Sequence, residues 1–236
     1  MPAVVYRPLM RLLAIDTALD ACAACVFNSE GGKTLASESL AMARGHAEAL
    51  MPLIARVMDK ADISFSDLDR IAVTVGPGSF TGLRVGIAAA RGIALASGKP
   101  AVGVTTLAVY AAAHIASEDG AQIVVAIDAK HGNVYVQVFG NSGRTVLAPQ
   151  IAAVADAARA AREAPVRIVG SGAGLLAAGW PAGEPPPLLV DPAGAPPIEW
   201  VARLGAAARK TDVPPKPLYL RAPDARPQDA ARLPRR

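Results

Sequence analysis

The chain has little aromatic residue, cysteine or histidine. Phe, Tyr and Trp make up 4% of its 236 residues while hydrophobic residues reach 52%, so a core must be aliphatic and alanine-rich. Cys22 and Cys25 are the only cysteines. A Cys-x-x-Cys pair becomes reactive at a helix N-terminus, but this one lies in a strand-like run where an offset of three sends the side chains to opposite faces. No second pair completes a zinc site, so both read as structural. The three histidines, His46, His114 and His131, form no His-x-x-x-His or His-Glu-x-x-His pattern. No Gly-x-Ser-x-Gly element is present either, and no nucleophile–base pair emerges. Catalytic and metal residues are therefore expected to be none.

Long apolar runs are missing as well. Nothing approaches the roughly 18 residues of a membrane helix, and Arg91 interrupts the best stretch. The opening MPAVVYRPLM is too short and too proline-marked for a signal h-region. Residues 1–9, ahead of Met10, read as an extension outside the fold. A cytoplasmic protein with no membrane partner is the expectation.

The basic balance, +4 overall with a pI near 9.3, is uneven. Residues 200–236 carry nine Lys/Arg against three Asp/Glu, leaving fifteen against seventeen elsewhere. The body is thus slightly acidic and the basicity belongs to a tail, either solvated or touching RNA or an acidic partner.

What is present is an ordered alternation. Arg11–Ile15 reads as a buried strand ending in Asp16-Thr17; Ala21–Phe27 and Thr34–Leu40 follow as strands around a Glu30–Lys33 turn. His46–Lys60 has Leu50, Ile54 and Val57 on one helical face, with Pro52 expected to kink it or delay its start. Ile71–Val75 is a fourth strand, Thr81–Ser97 a second helix and Ala101–Val104 a fifth strand. This is the order of a ribonuclease-H-like lobe. Leu107–Ser117 (helix), Gln122–Ile127 and Val134–Phe139 (strands), Ile151–Glu163 (helix) and Val166–Val169 (strand) form a second lobe. A proline-rich linker over 181–197 and a closing helix at Ile198–Lys210 complete it. The predicted fold is α/β and two-lobed, with an N-terminal lobe at 10–104, a C-terminal lobe with the closing helix at 105–212, and an extended basic tail at 213–236.

The most informative stretch is Ile71–Gly92, a strand entering the tight turn Gly76-Pro77-Gly78-Ser79-Phe80-Thr81-Gly82 and leaving in a helix rich in small residues. Such loops aim backbone N–H groups at anions. Gly76, Gly78, Ser79 and Thr81, with Asp16 at the end of the first strand, are the candidate nucleotide-binding residues. The signal is weak: no Lys-Ser/Thr follows Gly82, and no glycine follows Asp16 closely. Asp16 and Thr17 also suit turn capping. Gly82, Gly86 and Ala90 on the helix offer close approach to a neighbour, and glycine there costs roughly 1 kcal/mol relative to alanine. That neighbour is either a partner's helix or the chain's own sheet, and the residues alone leave both open.

Several segments together resemble one family: Leu13–Thr17, His46–Pro52, Val75–Arg84, Val102–Val104, Ile127–Ala129 with Val134-Tyr135, and Pro217–Arg221. They are similar to the TsaB family over about residues 10 to 223, and the stretch GPGSFTGLR is the most specific of them. The resemblance implies the two-lobed fold of actin, Hsp70 and sugar kinases. It implies a non-catalytic subunit of the bacterial machinery that makes threonylcarbamoyladenosine at position 37 of ANN-decoding tRNAs. Its implied partners are a TsaD-like catalytic subunit and a TsaE-like ATPase, with tRNA reached indirectly and a homodimer through the same surface without TsaD. No cofactor is implied beyond a nucleotide at a subunit boundary. His46, Leu50, Ile54, Gly82, Arg84, Gly86 and Ala90 become the implied partner interface. Two metal-holding histidines of TsaD correspond here to Thr106 and Tyr110, neither a useful ligand in this arrangement. The competing expectation is an ATP-dependent phosphotransferase of the same fold using Asp16 and the Gly76–Gly82 loop; a metalloprotease is disfavoured by the absent ligands.

Overall fold

The computed structural model describes residues 10–115, 120–160, 165–209 and 211–221. The readings of residues 1–9 and of the chain past 221 lie outside these. Two five-stranded sheets carry the fold. The first comprises β1 (Arg11–Asp16), β2 (Ala21–Asn28), β3 (Lys33–Ala41), β4 (Arg70–Gly76) and β5 (Ala101–Thr105), ordered β3-β2-β1-β4-β5. β1, β2 and β3 are antiparallel neighbours, while β1, β4 and β5 run parallel. The second comprises β6 (Gln122–Asp128), β7 (Asn133–Phe139), β8 (Thr145–Ala153), β9 (Val166–Val169) and β10 (Leu189–Asp191), ordered β10-β9-β6-β7-β8. Its directions match: β6, β7 and β8 are antiparallel, and β9 and β10 follow β6 in parallel. The protein is thus an α/β chain with two lobes of one topology.

β1 is buried on both faces, as a central strand flanked by helices must be. Leu13 and Ile15 face α1 (His46–Lys60) and α2 (Phe80–Ser97). Leu12 and Ala14 face the opposite layer. Leu50, Leu53, Ile54 and Val57 form the inward stripe of α1 at helical spacing. α1 begins at His46 and includes the exposed Pro52, so the delayed start does not occur.

Three features depart from the sequence expectation. Ile151–Ala153 belongs to β8, paired with Asn133–Tyr135, and the helix α4 covers Val154–Ala160. Alanine-rich sequence has little preference of its own, and pairing with β7 decides the matter. Pro149 is tolerated because β8 is an edge strand. The 181–197 segment contains β10, after the short α5 (Ala173–Ala178). Third, the closing helix α6 (Ile198–Ala207) packs on β1, β2 and β4, the first sheet, and not on the second. A Cβ at Gly205 would overlap the Ala72 methyl, so glycine permits that approach. Arg70, 6% exposed, holds the helix end by donating from Nη1 to the Gly205 and Ala208 carbonyls at 2.7 and 2.8 Å. A cation there also suits the negative end of the helix dipole.

α3 (Thr106–Ala112) lies between the lobes, with Val109 in the first lobe's cluster and Leu107 and Tyr110 in the second's. The start of the basic tail is extended and docked. The Leu218 N–H donates to the Val75 carbonyl at 2.7 Å, Leu220 packs on the second lobe, and Arg221 donates to the Ala129 carbonyl at 3.3 Å. No helix among the described residues is long and apolar enough to cross a membrane.

Candidate functional site

The glycine loop is occupied by the chain itself. The Ser79 N–H, placed where a phosphate cradle would offer it to an anion, donates to the Ala18 carbonyl at 2.7 Å. Ser79 caps α2, its Oγ accepting the Gly82 N–H at 3.2 Å. A side chain at Gly78 would overlap the Ala18 carbonyl oxygen, and one at Gly82 the Thr17 carbonyl oxygen. The hollow of the loop is therefore filled by the backbone of Thr17 and Ala18. Gly76, with φ +106°, is buried against Leu83 and the Leu218 carbonyl, and Thr81 is exposed.

Asp16 does not open onto any cleft. It is 1% exposed, and its Oδ1 accepts the Ala18 N–H at 2.9 Å and the Thr74 hydroxyl at 2.5 Å. Burial raises its carboxyl above the ordinary value despite those two hydrogen bonds. This is turn capping, one of the two readings its sequence allowed. Only Gly78 and Ser79 of the five nucleotide candidates edge the interlobe crevice, a space of about 300 Å³. Asp20, Asp128 and Lys130 also line it, and Lys130 is already paired with Asp128 at 2.7 Å. Two carboxylates and one neutralised ammonium give a polyphosphate no electrostatic welcome.

Thr106 and Tyr110 are buried in packing, and the Tyr110 hydroxyl donates to the Ala193 carbonyl at 2.8 Å. Among the described residues no three His, Cys, Asp or Glu side chains cluster as metal ligands would. Burial pushes the Cys22 thiol up to about 11 and Cys25 to about 12, the state of inert core cysteines.

The seven interface candidates need correction. His46, Leu50, Ile54, Gly82, Gly86 and Ala90 are all buried within the chain's own core. His46 holds the Asp16–Asp20 loop through a ring nitrogen 3.1 Å from the Leu19 carbonyl. A Cβ at Gly86 would overlap Thr17 Oγ1 and touch Val73 at 3.5 Å, so the small-residue face of α2 is cut to fit β1 and β4. Of the seven only Arg84 is exposed.

The free face of α2 is the other one. Ala88, Gly92 and Leu95 point outward, Leu95 at 87% exposure, and a Cβ at Gly92 would meet nothing within 4 Å. Gly92 also lines an apolar groove of about 560 Å³, together with Ala89, Ile93 and Ala96 of α2, Met51 of α1 and Phe65 of the adjoining turn. Phe80, Arg84 and Tyr219 gather at the N-terminal end of α2. Sequence reasoning missed this face because α2 is apolar on most sides, with Arg84 and Arg91 its only charges, so its pattern points to no single side. Glycine spacing pointed to the tight side, which proves internal. The available signal was Leu95, a large apolar residue off the buried stripe.

The profile of the family described as TsaD, tRNA N6-adenosine threonylcarbamoyltransferase, matches residues 37–172, more than half of the chain. TsaB, the tRNA threonylcarbamoyladenosine biosynthesis protein of Escherichia coli K12, is 33% identical over 60% of this chain and 64% of its own length. The chain belongs to this family, in its TsaB branch. A Mycobacterium tuberculosis H37Rv protein is 35% identical over 92% of this chain and 94% of its own. The solved structure of YeaZ from Pseudomonas aeruginosa superposes with a TM-score of 0.69 at 27% identity, covering 89% of this chain and all of that one. The chain spans just under two thirds of the Escherichia coli TsaB it matches.

Proposed function

We propose that the chain is the non-catalytic subunit that binds a TsaD-like catalytic subunit and supports threonylcarbamoyl transfer to adenosine 37 of ANN-decoding tRNAs. The observation that carries this reading is the filled loop: Ser79 N–H is bound to Ala18, and the Thr17–Ala18 backbone occupies the space of an anion. A loop satisfied in this way leaves α2 a structural element with one outer face to offer. That face is apolar, small-sided at Gly92 and Ala96, and continuous with Met51 and Phe65. Close helix packing between subunits calls for such small residues. A TsaE-like ATPase joins the pair, tRNA is engaged through the catalytic subunit, and the work is cytoplasmic. Without TsaD the same face supports a homodimer.

The test is co-purification with a TsaD-like protein followed by sizing, using the full chain and Gly92→Leu. Gly92 has open space around it, so the variant is expected to melt like wild type and to lose the complex. A chain that performs the complete transfer alone sinks the proposal. The phosphotransferase alternative is separated by calorimetric titration with Mg-ATP, for which the occupied loop anticipates no heat.

A further inference from the structure

α2 carries no acidic residue, and its two charged side chains are Arg84 and Arg91. Arg84 is unusually well held for an exposed arginine. Its guanidinium carbon stands 3.7 Å from the centroid of the Phe80 ring. Its Nε donates to the Tyr219 hydroxyl at 3.2 Å. Tyr219 in turn lies against Phe80, centroids 5.5 Å apart at 31°. Phe80 is 47% and Tyr219 44% exposed, so this corner places two of the chain's ten aromatic residues at the surface. Among the described residues, neither Nη nitrogen of Arg84 has a hydrogen-bond or ion-pair partner.

One face and one edge of the guanidinium are thus fixed, while its Nη edge is unengaged. Ordering of a long side chain is a main cost of binding through arginine, and here it is already met. A planar fork with a free edge matches a carboxylate, which it takes through two parallel hydrogen bonds.

We infer that the Phe80–Arg84–Tyr219 corner is the receptor for one carboxylate, an Asp or Glu side chain of the partner protein that packs on the outer face of α2. The inference rests on the functional reading above and adds the chemistry of the contact. A protein carboxylate is favoured over an RNA phosphate by the surroundings. RNA needs a row of free cations along its backbone. α2 itself offers only Arg84 and Arg91, about two turns apart, and the α1 cations Arg56 and Lys60 are both bound to Glu38, at 2.5 and 3.3 Å. Between Arg84 and Arg91 the small Ala88 is exposed, a floor for an apolar ridge. Because Tyr219 comes from the docked C-terminal segment, the corner exists only while that segment is seated.

The test is the affinity of the full chain for a TsaD-like partner, measured by titration at about 50 and 500 mM salt, where screening of an exposed pair differs strongly. Arg84→Ala is expected to weaken binding about 30-fold or more. Arg84→Lys should restore little of it, since a point charge lacks the fork. Tyr219→Phe, which releases Nε, should weaken binding several-fold with an unchanged melting temperature. Wild-type affinity should fall with salt and Arg84→Ala affinity should not. Arg84→Ala within twofold of wild type overturns the proposal, as does full rescue by lysine. So does an unchanged partner affinity accompanied by loss of tRNA retention, which makes the site a phosphate receptor. A wild-type chain that binds no TsaD-like partner overturns the functional reading, and the receptor with it.

Discussion

Thr17 donates its hydroxyl to the Gly82 carbonyl at 2.7 Å, while its own carbonyl oxygen occupies the place of a Gly82 side chain. One residue thereby sews the end of β1 to the first turn of α2. The glycines of α2 consequently differ in kind. Gly86→Leu drives a side chain into Thr17 and Val73, and we predict a loss of about 3 kcal/mol. Gly92→Ala faces open space and should gain up to about 1 kcal/mol from helix propensity. Urea unfolding of both variants checks this, and equal midpoints for Gly86→Leu and wild type would contradict the close approach.

Asp16 gives a pH signature. Burial raises its carboxyl in the fold above the unfolded value of about 3.9, opposed only in part by Thr74 and Ala18. Its contribution to stability is fully present below that unfolded value and is lost as pH rises through the folded one. Asp16→Asn removes the titration. The stability of the asparagine variant relative to wild type should therefore increase from about pH 4 upward. Urea midpoints across that range decide it; a constant difference rules it out.

The cysteines give a third prediction. With Cys22 near 11 and Cys25 near 12, neither thiol ionises in the native chain at neutral pH. Labelling by a thiol reagent at about pH 8, near the pKa of an unfolded cysteine, should proceed only at the rate of unfolding. Labelling of either residue faster than unfolding would contradict their burial.

Arg70 ties the end of α6 to β4. Replacing it with methionine keeps the stem and removes the donors to Gly205 and Ala208, and should cost about 2 kcal/mol. Hydrogen exchange should show α6 losing protection before the strands. Protection lost uniformly would mean that packing alone holds the helix.

Much of the first lobe could be read from residue patterns, because its strands are short buried runs bounded by turns and His46–Lys60 has a clean apolar stripe. Other parts depend on contacts that no local pattern encodes. β8 is a strand because β7 offers an edge to Ile151–Ala153. α6 belongs to the first sheet because Gly205 and Arg70, 135 positions apart, meet. The GPGSFTG turn signalled close backbone approach, but only the fold shows that the approaching group is Ala18 and not an anion. Likewise Gly86 and Gly92 look alike in sequence and face opposite surroundings.

The return of α6 has a consequence for synthesis. Leu12, Ala14, Phe27 and Ala72 form the face it covers, and all emerge from the ribosome some 125 or more residues before the helix does. Until then the first sheet has one bare apolar side. A nascent chain halted at residue 120 should bind a dye for exposed hydrophobic surface, and one extended well past Ala207 should not.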